Sequence, residues 1–138
     1  MRKTAHVYGA IALDNAKFTF RFADVFNGKT FLEFLRQLVL RYDGRKVFLI
    51  IDNAPCHGLD DDGKRWLREH RHLIELHRLP AYSPEFMAME GVWKTTRKLT
   101  THNAFFVTPD QRDAKLTETF NRFQRRPGLI AAHVARFR

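Results

Sequence analysis

Two acidic residues define the chemistry open to this chain. Asp52 begins Asp52-Asn53-Ala54-Pro55-Cys56-His57, directly after the apolar run Val47-Phe48-Leu49-Ile50-Ile51. Glu90 follows in Leu79-Pro80-Ala81-Tyr82-Ser83-Pro84-Glu85-Phe86-Met87-Ala88-Met89-Glu90-Gly91-Val92-Trp93. A carboxylate at the carboxyl end of a buried strand is where an α/β sheet presents chemistry to ligands. Two such carboxylates on a strongly basic chain point to metal-assisted work on a polyphosphate backbone, because Mg²⁺ takes oxygen ligands and shares substrate phosphates. Singly, each has an ordinary alternative. Asp52 and Asn53 read equally well as Asx caps of the following turn, and Glu90 with Lys94 has the i,i+4 spacing of a surface ion pair. His57 is placed to touch a scissile phosphate or to support Asp52, although a lone loop histidine is more often an ordinary hydrogen-bonding residue.

The rest of the chemistry-bearing inventory is thin. Cys56 is the only cysteine, which rules out an internal disulfide or a multi-cysteine zinc site and suits a reducing, cytoplasmic setting. It reads as a small apolar residue rather than a nucleophile. No Gly-rich phosphate loop occurs. The run Asp60-Asp61-Asp62 suits a helix N-terminus, where the macrodipole favours acids. The formal net charge is +9, and residues 94–138 hold ten Lys/Arg against three Asp/Glu. That excess is the electrostatic footprint of a phosphate-rich partner, with a merely solvated basic face as the bland alternative. The longest strongly apolar stretch, Val47–Ile51, is far too short to span a bilayer, so a membrane location is not expected.

The elements that must position the acids follow from periodicity. At 138 residues with 44% hydrophobic content, one domain with a sizeable core is expected. Residues 5–13 and 17–26 read as two strands joined at Asp14-Asn15-Ala16, with Phe18, Phe20 and Phe22 in alternation. Phe31, Phe34, Leu35 and Leu38 then mark an amphipathic helix, capped from Thr30 with Glu33 or one turn earlier from Asn27. Val47–Ile51 is a continuous apolar strand, as expected when helices cover both faces of a sheet. A short helix over residues 60–70 and an edge strand over Leu73–Leu79 come next, and Pro80 and Pro84 bracket a rigid turn. The following helix carries Glu90, Trp93 and Arg97 on one face. Thr108-Pro109-Asp110-Gln111 starts a long helix bearing Leu116, Phe120 and Phe123, and Leu129, Ile130, His133, Val134 and Phe137 suggest a short terminal helix. A hairpin, then strand–helix alternation, then helices, makes an α/β fold with a mixed sheet.

With these elements in place, Asp52-Asn53-Ala54-Pro55-Cys56-His57, Leu79-Pro80-Ala81-Tyr82-Ser83-Pro84-Glu85 and Glu90-Gly91-Val92-Trp93-Lys94 together resemble the DDE endonuclease domain of transposases, nearest to the bacterial insertion-sequence branch of the mariner-type superfamily. The resemblance runs through nearly the whole chain. It implies a ribonuclease-H-like mixed sheet with flanking helices, DNA as substrate, and two divalent ions, Mg²⁺ or Mn²⁺, held by three carboxylates for in-line attack on a phosphate. Asp52 would be the second of those acids and Glu90 the third. His57, Lys94, Arg97 and Lys98 would be phosphate or DNA contacts.

This sequence departs from the family pattern at its start. The family's first catalytic Asp lies on a central strand ahead of the hairpin, and only Met1–Thr4 precede the hairpin here; Asp14 and Asp24 do not match that position. The family's N-terminal helix-turn-helix part has no counterpart either, and Met87-Ala88 replace the usual Asn-Pro before the Glu-bearing helix. The expectation is a partial catalytic domain over residues 1–138, whose neighbours to the missing strand must close up or recruit another chain. Two further readings stand beside it. One is a non-catalytic DNA-binding or regulatory remnant that pairs with full-length transposase or with another copy of itself. The other is an unrelated metal-dependent nuclease drawing a carboxylate from Asp60–Asp62.

Overall fold

The computed structural model describes residues 6–51, 58–78, 88–101 and 108–135. Its elements are β1 (His6–Ile11), β2 (Phe18–Ala23), α1 (Gly28–Arg41), β3 (Val47–Ile51), α2 (Asp61–Glu69), β4 (Ile74–Arg78), α3 (Ala88–Thr96) and α4 (Pro109–Arg125). A π-helical turn, Arg97–Thr101, continues α3, and two 3-10 turns, Pro127–Leu129 and Ala131–His133, follow α4. The chain divides into two compact units, residues 1–22 with 87–138 and residues 23–86.

The first unit is built on the β1–β2 hairpin. Its turn closes through the Ala12 N–H to Lys17 O and the Ala16 N–H to Ala12 O, both 2.9 Å. Ala16 takes φ 61°, a left-handed conformation that costs a residue with a Cβ about 1 kcal/mol. The methyl that makes this costly is fully buried in the core, which offsets part of the strain. The alternation of Phe18, Phe20 and Phe22 turns one face of β2 toward α4. There Phe120 lies 5.6 Å from Phe18 and 5.0 Å from Phe20, and Phe123 meets Phe18 edge-on at 5.7 Å. These separations fall in the favourable range for aromatic pairs. The start of α4 is the one the sequence specifies: the Thr108 side chain accepts from the Gln111 N–H, with Pro109 in the first turn. Ile130 and Val134, both 0% exposed, complete the core.

In the second unit β3 and β4 pair in parallel, Val47 opposite Ile74 and Ile51 opposite Arg78. Asn27, not Thr30 with Glu33, caps α1. Asn27 Oδ1 accepts from the Thr30 N–H while Thr30 Oγ1 accepts from the Asn27 N–H. The helix buries Phe31, Phe34, Leu35 and Leu38, the stripe read from the sequence. Asp60 caps α2 through the Gly63 N–H, which accounts for the acidic run as a helix start.

Three expectations are corrected. Among the described residues there are two two-stranded sheets, β1–β2 and β3–β4, rather than one mixed sheet. The continuous apolar run of β3 is not covered on both faces, since Phe48 is 62% and Ile50 41% exposed. The terminal segment winds into 3-10 turns rather than a helix: the N–H groups of Ile130, His133 and Val134 bond carbonyls three residues back, at Pro127, Ile130 and Ala131, while Pro127, which has no N–H to donate, ends α4 before them. The Pro80–Pro84 turn and Phe137 lie outside the described residues.

Candidate active site

Glu90 stands in the first turn of α3 and is exposed. Four lengthwise rows of this helix have different surroundings. At 3.6 residues per turn, residues four apart stack along one row. Ala88, Val92 and Thr96 form the buried row, and Glu90 and Lys94 the exposed row opposite. Met89 and Trp93 lie on β1 at Gly9, where a Cβ would fall 2.7 Å from the Trp93 ring and 2.9 Å from the Met89 methyl. Gly9 therefore sets how closely the Glu90 helix approaches the hairpin. Gly91 and Thr95 form the fourth row and receive His133, whose Nε2 shares a 2.8 Å hydrogen bond with Thr95 Oγ1.

The Glu90 carboxylate forms no hydrogen bond or ion pair with another described residue, and neither does Lys94, so the i,i+4 pair that their spacing allows is not made. An exposed carboxylate with both oxygens available is the donor a hard divalent cation requires, and in that respect Glu90 fits the ion implied by the resemblance. No group of three or more His, Cys, Asp or Glu side chains able to hold a metal occurs among the described residues. Asp52 and His57 lie outside the described residues. What precedes Asp52 is described: Ile51, the last residue of β3, is 4% exposed and paired with Arg78 of β4.

Beyond Glu90 the cationic side chains Lys94, Arg97 and Lys98 are all exposed. Arg97 and Lys98 belong to the π-helical turn and not to α3 proper, which corrects the reading of Glu90, Trp93 and Arg97 as one helical face. The cause is local. Thr96 Oγ1 donates to Val92 O, and Thr100 Oγ1 donates to Thr96 O. Hydroxyls that bond carbonyls four residues back loosen the helical ladder, and π turns inside helices recur at functional positions. Exposed cations one and two turns beyond a free carboxylate suit a polyanion lying along this helix.

Sequence reasoning missed Gly9, Thr95 and His133 as supports of α3. The available signal was Gly91, since a glycine inside a helix costs about 1 kcal/mol relative to alanine and so invites a packing reason. Among the described residues, no helix is long and apolar enough to cross a membrane. No curated protein and no solved structure matches the chain. Residues 1–112, which contain both acidic motifs, match the family model described as DDE superfamily endonuclease, and the chain belongs to that family.

Proposed function

We propose that this chain is the catalytic part of a transposase of insertion-sequence type, cutting and joining DNA strands with Asp52 and Glu90 as metal-holding carboxylates. The observation that carries the reading is the family match over both motifs, joined to an exposed, unpaired Glu90 carboxylate on a helix packed against the hairpin. Two divalent ions, Mg²⁺ or Mn²⁺, would stabilise the entering and leaving oxygens of an in-line phosphoryl transfer. The chain's own residues bind and orient. Asp52 and Glu90 supply anionic oxygens, Lys94 and Lys98 meet backbone phosphates from the exposed row of α3 and its π-helical turn, and Arg97 and His57 add phosphate contacts.

The test is nicking of supercoiled plasmid with Mn²⁺ or Mg²⁺. Any nicking that the chain supports without the family's first acid is expected to disappear in Asp52→Asn and in Glu90→Gln, and undiminished nicking by either variant removes that residue from the chemistry. Non-specific DNA binding should weaken steeply as salt rises, because the affinity comes from counterion release. Salt-independent binding would contradict the assignment of Lys94, Arg97 and Lys98.

A second reading is favoured by β3: the chain works by pairing with a second copy of itself or with an intact transposase. A parallel strand with Phe48 62% exposed is an unusual free surface, because parallel sheets are ordinarily covered on both faces. Sedimentation of the chain alone and co-purification with an intact enzyme test it. A strict monomer that captures no intact copy would exclude it.

A further inference from the structure

The last turns of the chain lie beyond residue 112, where the family match ends, yet they reach the helix that carries Glu90. His133 seats its imidazole on Gly91. A Cβ built at Gly91 would fall far inside contact distance of Nδ1, 2.8 Å from Cγ and 3.0 Å from Cε1. The ring's other nitrogen bonds Thr95 Oγ1 at 2.8 Å. Ile130 and Val134, on either side of this segment, are 0% exposed and belong to the same core as Ala88, Met89 and Val92.

We propose that His133 is a positioning residue for Glu90. It acts through the glycine seat on α3, and the proposal rests on the reading of Glu90 as a metal-holding carboxylate. The nine residues of α3 run on into the five of the π-helical turn; hydrogen bonds inside a helix fix its backbone but not its roll against neighbours, so tertiary contacts must set its orientation. Met89 and Trp93 hold one flank against Gly9. Gly91 and Thr95 lie about 200° further around, on the opposite flank, and His133 holds that side. Glu90 projects between the two. A roll of about 10° about the helix axis, at the ~5–6 Å radius of the helix surface, displaces a side chain by roughly 1 Å. A productive metal site tolerates only about 0.5 Å. The buried row Ala88, Val92 and Thr96 lies opposite Glu90 and acts as the pivot of such a roll; contacts on both flanks of that pivot limit it in both directions. A Cβ at Gly91 would displace the imidazole from this seat.

Mn²⁺ binding to the full chain tests this, measured from the free-ion electron paramagnetic resonance signal, with thermal unfolding as the check on folding. Gly91→Ala and His133→Ala are each expected to weaken Mn²⁺ binding about tenfold, the lower end of losses seen when groups supporting a metal ligand are removed. The double variant should be no worse than either single, since both empty the same seat. His133→Gln places an amide nitrogen where Nε2 stands and should recover most of the affinity. Amide exchange of Val92 and Trp93 should quicken in the two alanine variants and return in His133→Gln. Should His133→Ala fail to fold, Thr95→Val removes the hydrogen bond alone and should still lose affinity measurably. Wild-type Mn²⁺ binding in Gly91→Ala and Thr95→Val, alongside its loss in Glu90→Gln, would overturn the positioning role while leaving the function intact. Fully additive losses in the double variant would also overturn it. If Glu90→Gln binds Mn²⁺ as the wild type does, or if the wild type binds none, the reading of Glu90 fails and the proposal falls with it.

Discussion

In the unit built on the hairpin, Phe18, Phe120 and Phe123 are at most 1% exposed, whereas in the unit built on β3 and β4, Phe48 is 62% and Ile50 41% exposed. The contrast follows from what each strand pair has to lie against. One face of β2 is a row of three phenylalanines, and α4 brings Phe120 and Phe123 onto it. On β3 every residue is apolar, so both faces need a cover. Glu90 therefore rides on a helix whose other rows are packed, while the chain enters Asp52 from a strand only partly covered. Of the two acids proposed to hold metal, Glu90 is thus carried by a helix packed on a finished core, and Asp52 follows in sequence a strand with an exposed apolar face.

The largest effect that could break this contrast is the loss of the Phe120 ring. It meets Phe18, Phe20, Phe22, Trp93 and Phe123 at centroid separations between 5.0 and 6.3 Å. Phe120→Ala should destabilise the chain by about 3–5 kcal/mol, the range for an aromatic removed from a packed core. Denaturant unfolding checks this. A cost below about 1 kcal/mol would mean that the aromatic cluster does not hold the hairpin unit together.

Helix caps sharpen the comparison at the next scale, because each unit has one long helix with a defined start. Thr108→Ala removes a single bond, to the Gln111 N–H, and should cost about 1 kcal/mol. Asn27→Ala removes one half of a reciprocal box whose other member, Thr30, also donates from Oγ1 to Val25 O at 2.8 Å. It should cost at least as much, up to about 2 kcal/mol. Equal and negligible losses at both positions would show that tertiary packing alone sets these helix ends.

The caps also show where sequence reading succeeds. Thr108-Pro109 and the Phe31–Leu38 stripe are legible because the physics acts within four residues. The choice of Asn27 over Thr30 is less so, since both are good cap residues and the choice depends on how Thr30 is used. Glu90 stands out in the sequence by residue type and spacing, but that it makes no ion pair with Lys94 does not, because i,i+4 spacing permits such a pair without requiring it. The exposed face of β3 was hidden for a different reason: an apolar strand records that it needs cover and not whether cover is present. His133 was hidden because its partners Gly91 and Thr95 lie about forty residues away, and no local pattern spans that distance.

Phe48 offers the sharpest test of the uncovered face. Lys46 Nζ lies 5.2 Å from its ring and is the only cation placed over it among the described residues. Phe48→Ser should therefore change the stability of the isolated chain by no more than about 0.5 kcal/mol, as for a surface position. It should also raise solubility, because exposed apolar strands promote edge association. A loss above about 2 kcal/mol in denaturant unfolding would show that this face is covered in solution, and the contrast between the units would disappear.

The smallest expected effect lies on the same surface, at Glu75. Lys46 Nζ donates to Glu75 Oε1 at 2.8 Å, and His77 Nε2 lies 3.2 Å from Oε2. The Lys46 hydrogen bond is the main cause, with His77 second, holding the Glu75 carboxyl below its ordinary value. A carboxyl that is more acidic in the folded chain than in the unfolded one stabilises the fold at pH above the ordinary glutamate value. That contribution is lost as pH falls through the lowered folded value. Because all three side chains reach solvent, Glu75 and Lys46 only partly, the contribution is small and screened by salt. Unfolding midpoints followed from neutral pH to the acid side of the glutamate range should show a slightly shallower acid decline in Glu75→Gln than in the wild type. Lys46→Met should behave the same way, and high salt should remove the difference. If Glu75→Gln leaves the acid decline unchanged at low salt, the Lys46–Glu75–His77 group contributes nothing to the second unit. The hold on β3 and β4 would then rest on their backbone pairing and on the buried Ile51 and Ile74.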